Sequence, residues 1–236
     1  IKNELKKLKK KDQSVAFGGL TVNNALIPEV SLSQISLNYD SSGTVSALYS
    51  YLLSNNFQLE IINIGSFKGI DSNFKNKSLR NTYLDKNNIN FRIGGKLLLF
   101  SPQKNDLLWS SIRASVGRND NTNQGYIFSE LLNTYRVNDW MALNFSPKYF
   151  FSGIDSFGAL GFSAYININD KIQLIPEINT LIKQENESNT TLALRYTYSS
   201  QKSIDFYYSN AVGFQDLSQI LKNNENKFGI KLNFSF

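Results

Sequence analysis

The chain has 236 residues, 41% of them hydrophobic, 19% charged and 13% aromatic, with neither cysteine nor histidine. That length allows one all-β domain or at most two small ones. The missing residue types exclude disulfides, zinc and iron–sulfur sites, cysteine nucleophiles, Ser-His-Asp triads and histidine bases. The formal charge of +6 is unevenly placed: of the 25 basic and 19 acidic residues, residues 1–12 (IKNELKKLKKKD) hold six Lys against Glu4 and Asp12.

The basic surplus therefore sits in one terminal segment, which argues against nucleic acid as a partner. Ile1, Leu5 and Leu8 fall at i, i+4 and i+7, the spacing of a short helix with a narrow apolar stripe. Residues 1–14 read as a basic helix or tail and residues 15–236 as one β domain. Neither an initiating methionine nor a signal-like stretch is present, as in a mature chain or a fragment. The longest apolar runs, such as Leu97-Leu98-Leu99-Phe100, are far below the roughly 20 residues a spanning helix needs.

The segment 30–39 changes register around Ser33-Gln34, as a bulge requires. From Glu29 onward apolar residues recur with period two, so each strand has one apolar and one polar face. The apolar faces are Val45-Ala47-Tyr49-Tyr51-Leu53, Phe57-Leu59-Ile61, Ile89-Phe91-Ile93-Leu97-Leu99 and Leu108-Ile112-Ala114-Val116. Gly94-Gly95 reads as a bend within its strand. The segment 126–137 mixes apolar and polar residues on both faces. Alternation resumes in Met141-Leu143-Phe145-Pro147-Tyr149-Phe151, Leu160-Phe162-Ala164-Ile166-Ile168 and Ile172-Leu174-Pro176-Ile178. It continues through Leu192-Leu194-Tyr196-Tyr198 and Ile204-Phe206-Tyr208 to the last strand, Phe228-Ile230-Leu232-Phe234-Phe236.

Short links at 54–56, 137–139, 169–170 and 199–202, and a slightly longer one at 101–106, alternate with polar connections at 68–88, 118–124, 183–189 and 215–226. Tight turns on one rim and most loops on the other are the layout of a transmembrane β-barrel. The expected fold is a closed antiparallel barrel of about twelve strands, within a range of ten to fourteen. Tyr135, Trp140, Tyr149, Tyr198 and Phe236 lie near strand ends, where interfacial aromatic girdles form.

The final stretch KFGIKLNFSF alternates and ends on phenylalanine. It resembles the C-terminal strand of bacterial outer-membrane β-barrel proteins of the porin-like superclass. That resemblance implies a Gram-negative outer membrane, with its lipid and lipopolysaccharide as surroundings. It also implies that Phe228, Ile230, Leu232, Phe234 and Phe236 form a signal read by the barrel-assembly machinery. The basic segment before the barrel weakly resembles the linkers that precede cyanobacterial porin barrels. No individual family is recognisable.

By strand parity Arg92, Lys96, Arg113, Lys148, Arg195, Lys227 and Lys231 point into the barrel, and so does Arg136 if the mixed segment keeps its charges inside. The inward acids are Glu60, Glu130, Glu177 and Asp205. A charge on the lipid face costs about 2–4 kcal/mol at the midplane, which favours this facing. Surplus positive charge in a low-dielectric tube favours anions. These residues either line an open pore or pair with one another in a filled lumen. Lys75, Lys77 and Arg80 lie in the longest connection, which either folds inward as a constriction or stays outside.

The leading expectation is a porin-like channel for passive diffusion of small, preferentially anionic solutes. It needs no cofactor or metal and is compatible with a homo-oligomer. An autotransporter-type translocator, with an N-terminal helix threading the lumen, is the alternative; a soluble β-sandwich binding module is the alternative fold. An enzyme is not expected, because the familiar outer-membrane enzyme barrels use a histidine that this chain lacks.

Overall fold

A computed structural model of the chain describes residues 17–27, 33–64, 90–101, 107–119, 124–153, 155–182, 188–199 and 201–236. Alternation becomes twelve strands: β1 (Ser33–Asp40), β2 (Val45–Ser54), β3 (Phe57–Ile64), β4 (Asn90–Phe100), β5 (Leu108–Asn119) and β6 (Gln124–Arg136). They are followed by β7 (Met141–Ser152), β8 (Ser156–Asn167), β9 (Ile172–Leu181), β10 (Ser188–Ser199), β11 (Lys202–Ala211) and β12 (Lys222–Ser235). One helical turn, α1 (Leu217–Ile220), precedes β12. Each strand pairs antiparallel with its neighbour in sequence, and β12 pairs with β1 to close the barrel. Closure leaves no strand edge, so the backbone hydrogen bonds of the wall are made within the sheet.

Register fixes facing. In β7, Leu143, Phe145, Tyr149 and Phe151 are exposed, whereas Ala142, Asn144, Ser146 and Lys148 are buried. The same inversion runs round the wall, with exposed Leu53, Leu97, Ile112, Ile127, Phe162, Leu194 and Phe206 on the outside. A soluble sandwich would turn these side chains toward each other; here they form one continuous outer apolar surface. Among the described residues no helix is long and apolar enough to cross a membrane. The strands have the length to do so, since about 9–11 tilted residues suffice.

Two local expectations change. β1 pairs without a break with β12 from Gln34 to Asp40 and with β2 from Ser33 to Tyr39, so no bulge occurs there, and residues 30–32 lie outside the described residues. Gly94 and Gly95 sit in an unbroken ladder with β3 and β5 rather than at a bend. Glycine is needed at 95 for close approach: a Cβ there would meet the Phe57 ring at 2.8 Å.

One rim carries the links between β2 and β3, β4 and β5, β6 and β7, β8 and β9, and β10 and β11. On that rim Ser33 and Phe236 exchange backbone hydrogen bonds of 3.0 Å. The other rim carries the remaining links, including Val212–Leu221 between β11 and β12. The expected polar loop at 215–226 is therefore shorter than thought. β12 already begins at Lys222, and the residues before it are buried inside the barrel.

The interior is packed by two segments that are not part of the wall. Leu20 and Leu26, from the stretch before β1, cluster with Tyr165, Ile175, Ala193, Tyr207 and Phe214. Val212, Leu217, Ile220 and Leu221 cluster with Tyr126, Phe128, Phe150, Phe157 and Leu181. Burying one such leucine contributes about 1.5–3 kcal/mol.

Candidate functional site

Within the lumen the wall brings together Arg92 and Lys96 from β4, Arg113 from β5, Glu130 from β6 and Lys148 from β7. Glu60 from β3, Glu177 from β9, Arg195 from β10, Asp205 from β11, and Lys227 and Lys231 from β12 join them, all buried. Arg136 sits lower, half-buried at the end of β6, with its guanidinium 5.2 Å from the centre of the Trp109 ring. Lys75, Lys77 and Arg80 lie outside the described residues. Phe228, Ile230 and Phe236 are exposed on the outer face of the terminal strand, and Leu232 and Phe234 are half-buried on that same face.

Two carboxylates that strand parity did not single out complete the set. Asp40, at the end of β1, lies 2.7 Å from Lys227. Asp216, on the β11–β12 connection, pairs with Arg92. The seven inward bases therefore face six acids instead of four, and most of the charge is matched. Arg113 joins Glu60 at 2.7 Å and also pairs with Glu130, while Arg92 lies 3.7 Å from Glu60. Arg195 grips Asp205 with two parallel bonds of 2.7 and 2.8 Å, the fork-on-carboxylate geometry that suits a guanidinium.

Two lysines stand apart. Lys96 and Lys231 make no ion pair with any described residue. Lys231 Nζ donates to the carbonyl of Gly19 at 2.9 Å, and Lys96 Nζ donates to the carbonyl of Leu26. Lys148 is intermediate: it donates to the carbonyl of Thr21 and, at 2.7 Å, to Asn179 Oδ1, with Glu130 3.9 Å away. A neutral acceptor satisfies an ammonium's geometry without neutralising it; the carboxylates that act on Lys96 (Glu60, Glu130) and on Lys231 (Asp205, Glu177) do so from beyond ion-pair distance.

Those carbonyls belong to the stretch before β1. Residues 17–27, FGGLTVNNALI, carry no charged side chain. The wall holds the segment by its backbone. Glu177 accepts from the Leu20 and Thr21 amides at 2.8 and 2.6 Å and from the Thr21 hydroxyl at 2.7 Å. Arg195 donates to the carbonyls of Phe17 and Gly18, each at 2.7 Å. Ala25 N–H donates to Thr134 Oγ1 at 2.8 Å, and Asn23 donates to Glu130 at 3.1 Å. Glycine at 19 is obligatory for this clamp, because a Cβ would stand 1.9 Å from Glu177 Oε1.

The β11–β12 connection is held by side chains instead. Asp216 accepts from Arg92, from Ser115 at 3.0 Å and from Tyr126 at 3.1 Å. Gln215 Oε1 accepts from Arg92 and Arg113 at 3.2 and 3.1 Å. Asp216 has φ 48°, a left-handed conformation costing about 1–3 kcal/mol unless its surroundings hold it, and these contacts do so.

Reading strand faces alone missed both segments, yet the β11–β12 connection left a signal. VGFQDLSQIL is too apolar for a solvated loop, and Phe128, Leu132, Phe150 and Phe157 are apolar residues on a lumen-facing register. The mixed faces of 126–137 are the same signal: β6 is apolar inside because the connection packs on it. The basic helix or tail expected over residues 1–14, and with it the lumen-threading helix, lies outside the described residues; residues 17–27, which do occupy the lumen, contain no helix.

A closed antiparallel barrel, apolar outside and charged within, is the architecture of a transmembrane β-barrel. Solved structures carry the same architecture. KdgM porin matches with a TM-score of 0.61 at 9% identity, over 86% of this chain and 98% of its own. NanC porin gives 0.54 at 10% identity over 86% and 100%, and the Acinetobacter baumannii outer-membrane protein Omp33 gives 0.51 at 10% over 87% and 98%. No protein-family model and no curated protein matches the chain. At these identities the shared property is the fold: a twelve-stranded antiparallel barrel of outer-membrane porin type.

Proposed function

We propose that the protein is an outer-membrane channel for small solutes with a preference for anions. The observation that carries this reading is the sorting of residues by face: an outer surface of exposed Leu, Ile, Phe and Tyr encloses a lumen holding most of the mid-strand charged side chains of the wall. In lipid only a closed sheet satisfies the backbone, and an apolar exterior is what hydrocarbon accepts. The anion preference is supported by Lys96 and Lys231, whose charges meet only neutral acceptors among the described residues. KdgM porin, whose fold is similar, has been solved "in complex with disordered oligogalacturonate", an acidic oligosaccharide.

The bases that matter differ from the simplest expectation. Arg113 and Arg195 are neutralised by Glu60, Glu130 and Asp205, so their fields are largely cancelled at a distance. Selectivity rests instead on Lys96, Lys148 and Lys231. The outer surface meets lipid and lipopolysaccharide, the terminal strand ending in Phe236 is read by the assembly machinery, and the barrel is compatible with self-association. Planar-bilayer recording under a potassium chloride gradient tests the reading. The reversal potential should favour chloride and lose that preference as salt rises past the Debye screening of about 8 Å. Lys148→Glu with Lys231→Glu should move it toward potassium. A parent channel selective for cations, or a barrel that never conducts, would refute the proposal.

A further inference from the structure

The segment Phe17–Leu26 fills the lumen without matching its charge. Its ten residues are uncharged, yet they receive hydrogen bonds from Arg195, Lys231, Lys148 and Lys96 in succession along the chain. The carbonyls of Gly19 and Thr21 belong to residues two apart, within about 7 Å of extended chain. Lys231 and Lys148 thus converge on one three-residue stretch, Gly19–Thr21. Burying ammonium groups against neutral oxygens is electrostatically poorer than burying them against anionic ones, because ionised acceptors bind roughly twice as strongly.

We propose that Lys96, Lys148, Lys231 and Arg195 form a binding site for a polyvalent carboxylate, which Phe17–Leu26 occupies when no anion is present. The segment is then an internal competitor, and anion binding displaces it. This deepens the channel reading and rests on it for the direction of solute entry. Glu177 sets the balance. Its carboxylate is matched to the amides of Leu20 and Thr21 and repels an arriving anion, so it favours the segment over the ligand. Arg195 keeps Asp205 in either state and contributes mainly through its second edge, now on Phe17 and Gly18.

The absence of cysteine permits a clean reporter in this chain. Val22 is 0% exposed, so the thiol of Val22→Cys should react with a membrane-impermeant maleimide only when the segment leaves. Trigalacturonate should accelerate labelling about tenfold, while neutral maltotriose at matched ionic strength should not, as an opening equilibrium shifted by ligand requires. Glu177→Gln should lower the half-maximal trigalacturonate concentration about tenfold. Ala25→Cys, also at 0% exposure, is an independent reporter should the first variant fold poorly. No acceleration by trigalacturonate, or equal acceleration by maltotriose, overturns the shared site. Labelling that responds to the anion in a barrel without current supports the site and refutes the channel. Anion-selective current with a permanently unreactive thiol keeps the channel and refutes the displacement.

Discussion

The two segments inside the barrel are held in opposite ways. Val212–Leu221 is joined to strands at both ends, carries its own carboxylate, Asp216, and presents Val212, Leu217 and Ile220 to an apolar patch of the wall. Phe17–Ile27 brings no charge and is bound chiefly through backbone amides and carbonyls. The first completes the electrostatics of the lumen, because Arg92 is buried and needs an anion. The second buries Leu20 and Leu26 and satisfies hydrogen bonds, but it supplies no counter-charge. The difference teaches which occupant is structural and which is exchangeable: a segment that neutralises a buried ion cannot leave cheaply, whereas one that lends neutral carbonyls to ammonium groups can be replaced by a better acceptor.

The largest effect should come from breaking the anchored segment. Asp216→Ala leaves Arg92 buried beside only the more distant Glu60, and it removes the acceptor of Ser115 and Tyr126. Loss of one partner of a buried pair costs about 3–5 kcal/mol, to be read in urea unfolding from detergent or lipid. A change below about 1 kcal/mol would place the two segments in the same class. Leu217→Ala removes packing against the wall's aromatic patch and should cost about 2–5 kcal/mol by the same measurement, within the usual range for a buried leucine.

On the other segment the effects should be smaller and should concern opening. Gly19→Ala drives a methyl into the Glu177 carboxylate. It should destabilise the segment's docking by about 1–3 kcal/mol and raise thiol labelling in a Val22→Cys background without any anion. Unchanged labelling would show that the Glu177 clamp is not what holds the segment. The smallest change in stability is expected for Lys231→Met, which replaces an ammonium that has no ion-pair partner among the described residues by an apolar side chain of similar length. Its unfolding free energy should stay within about 1 kcal/mol of the parent or rise, while the response to trigalacturonate falls. A loss above about 3 kcal/mol would mean that Lys231 is a structural ion like Arg92.

Much of the wall is legible in the residues alone, for a physical reason: with period two, one side chain in two must meet hydrocarbon, and that demand writes itself into every strand. Leu192-Leu194-Tyr196-Tyr198 and the run from Phe228 to Phe236 show it directly, and the rhythm of short and long links sets the antiparallel order. The inward facing of Lys148, Arg195 and Lys231 follows from the same alternation. What the tertiary structure alone decided is what fills the space inside. Closure brings β4, β5 and the β11–β12 connection to one point, so that Asp216 meets Arg92 across 124 positions of sequence. It also sets Glu177 against Leu20 and Thr21, a contact no periodicity encodes. Strand parity is a local property, carried by neighbouring residues. Whether an inward lysine faces water, an acid or a carbonyl depends on long-range contacts that exist only once the barrel has closed.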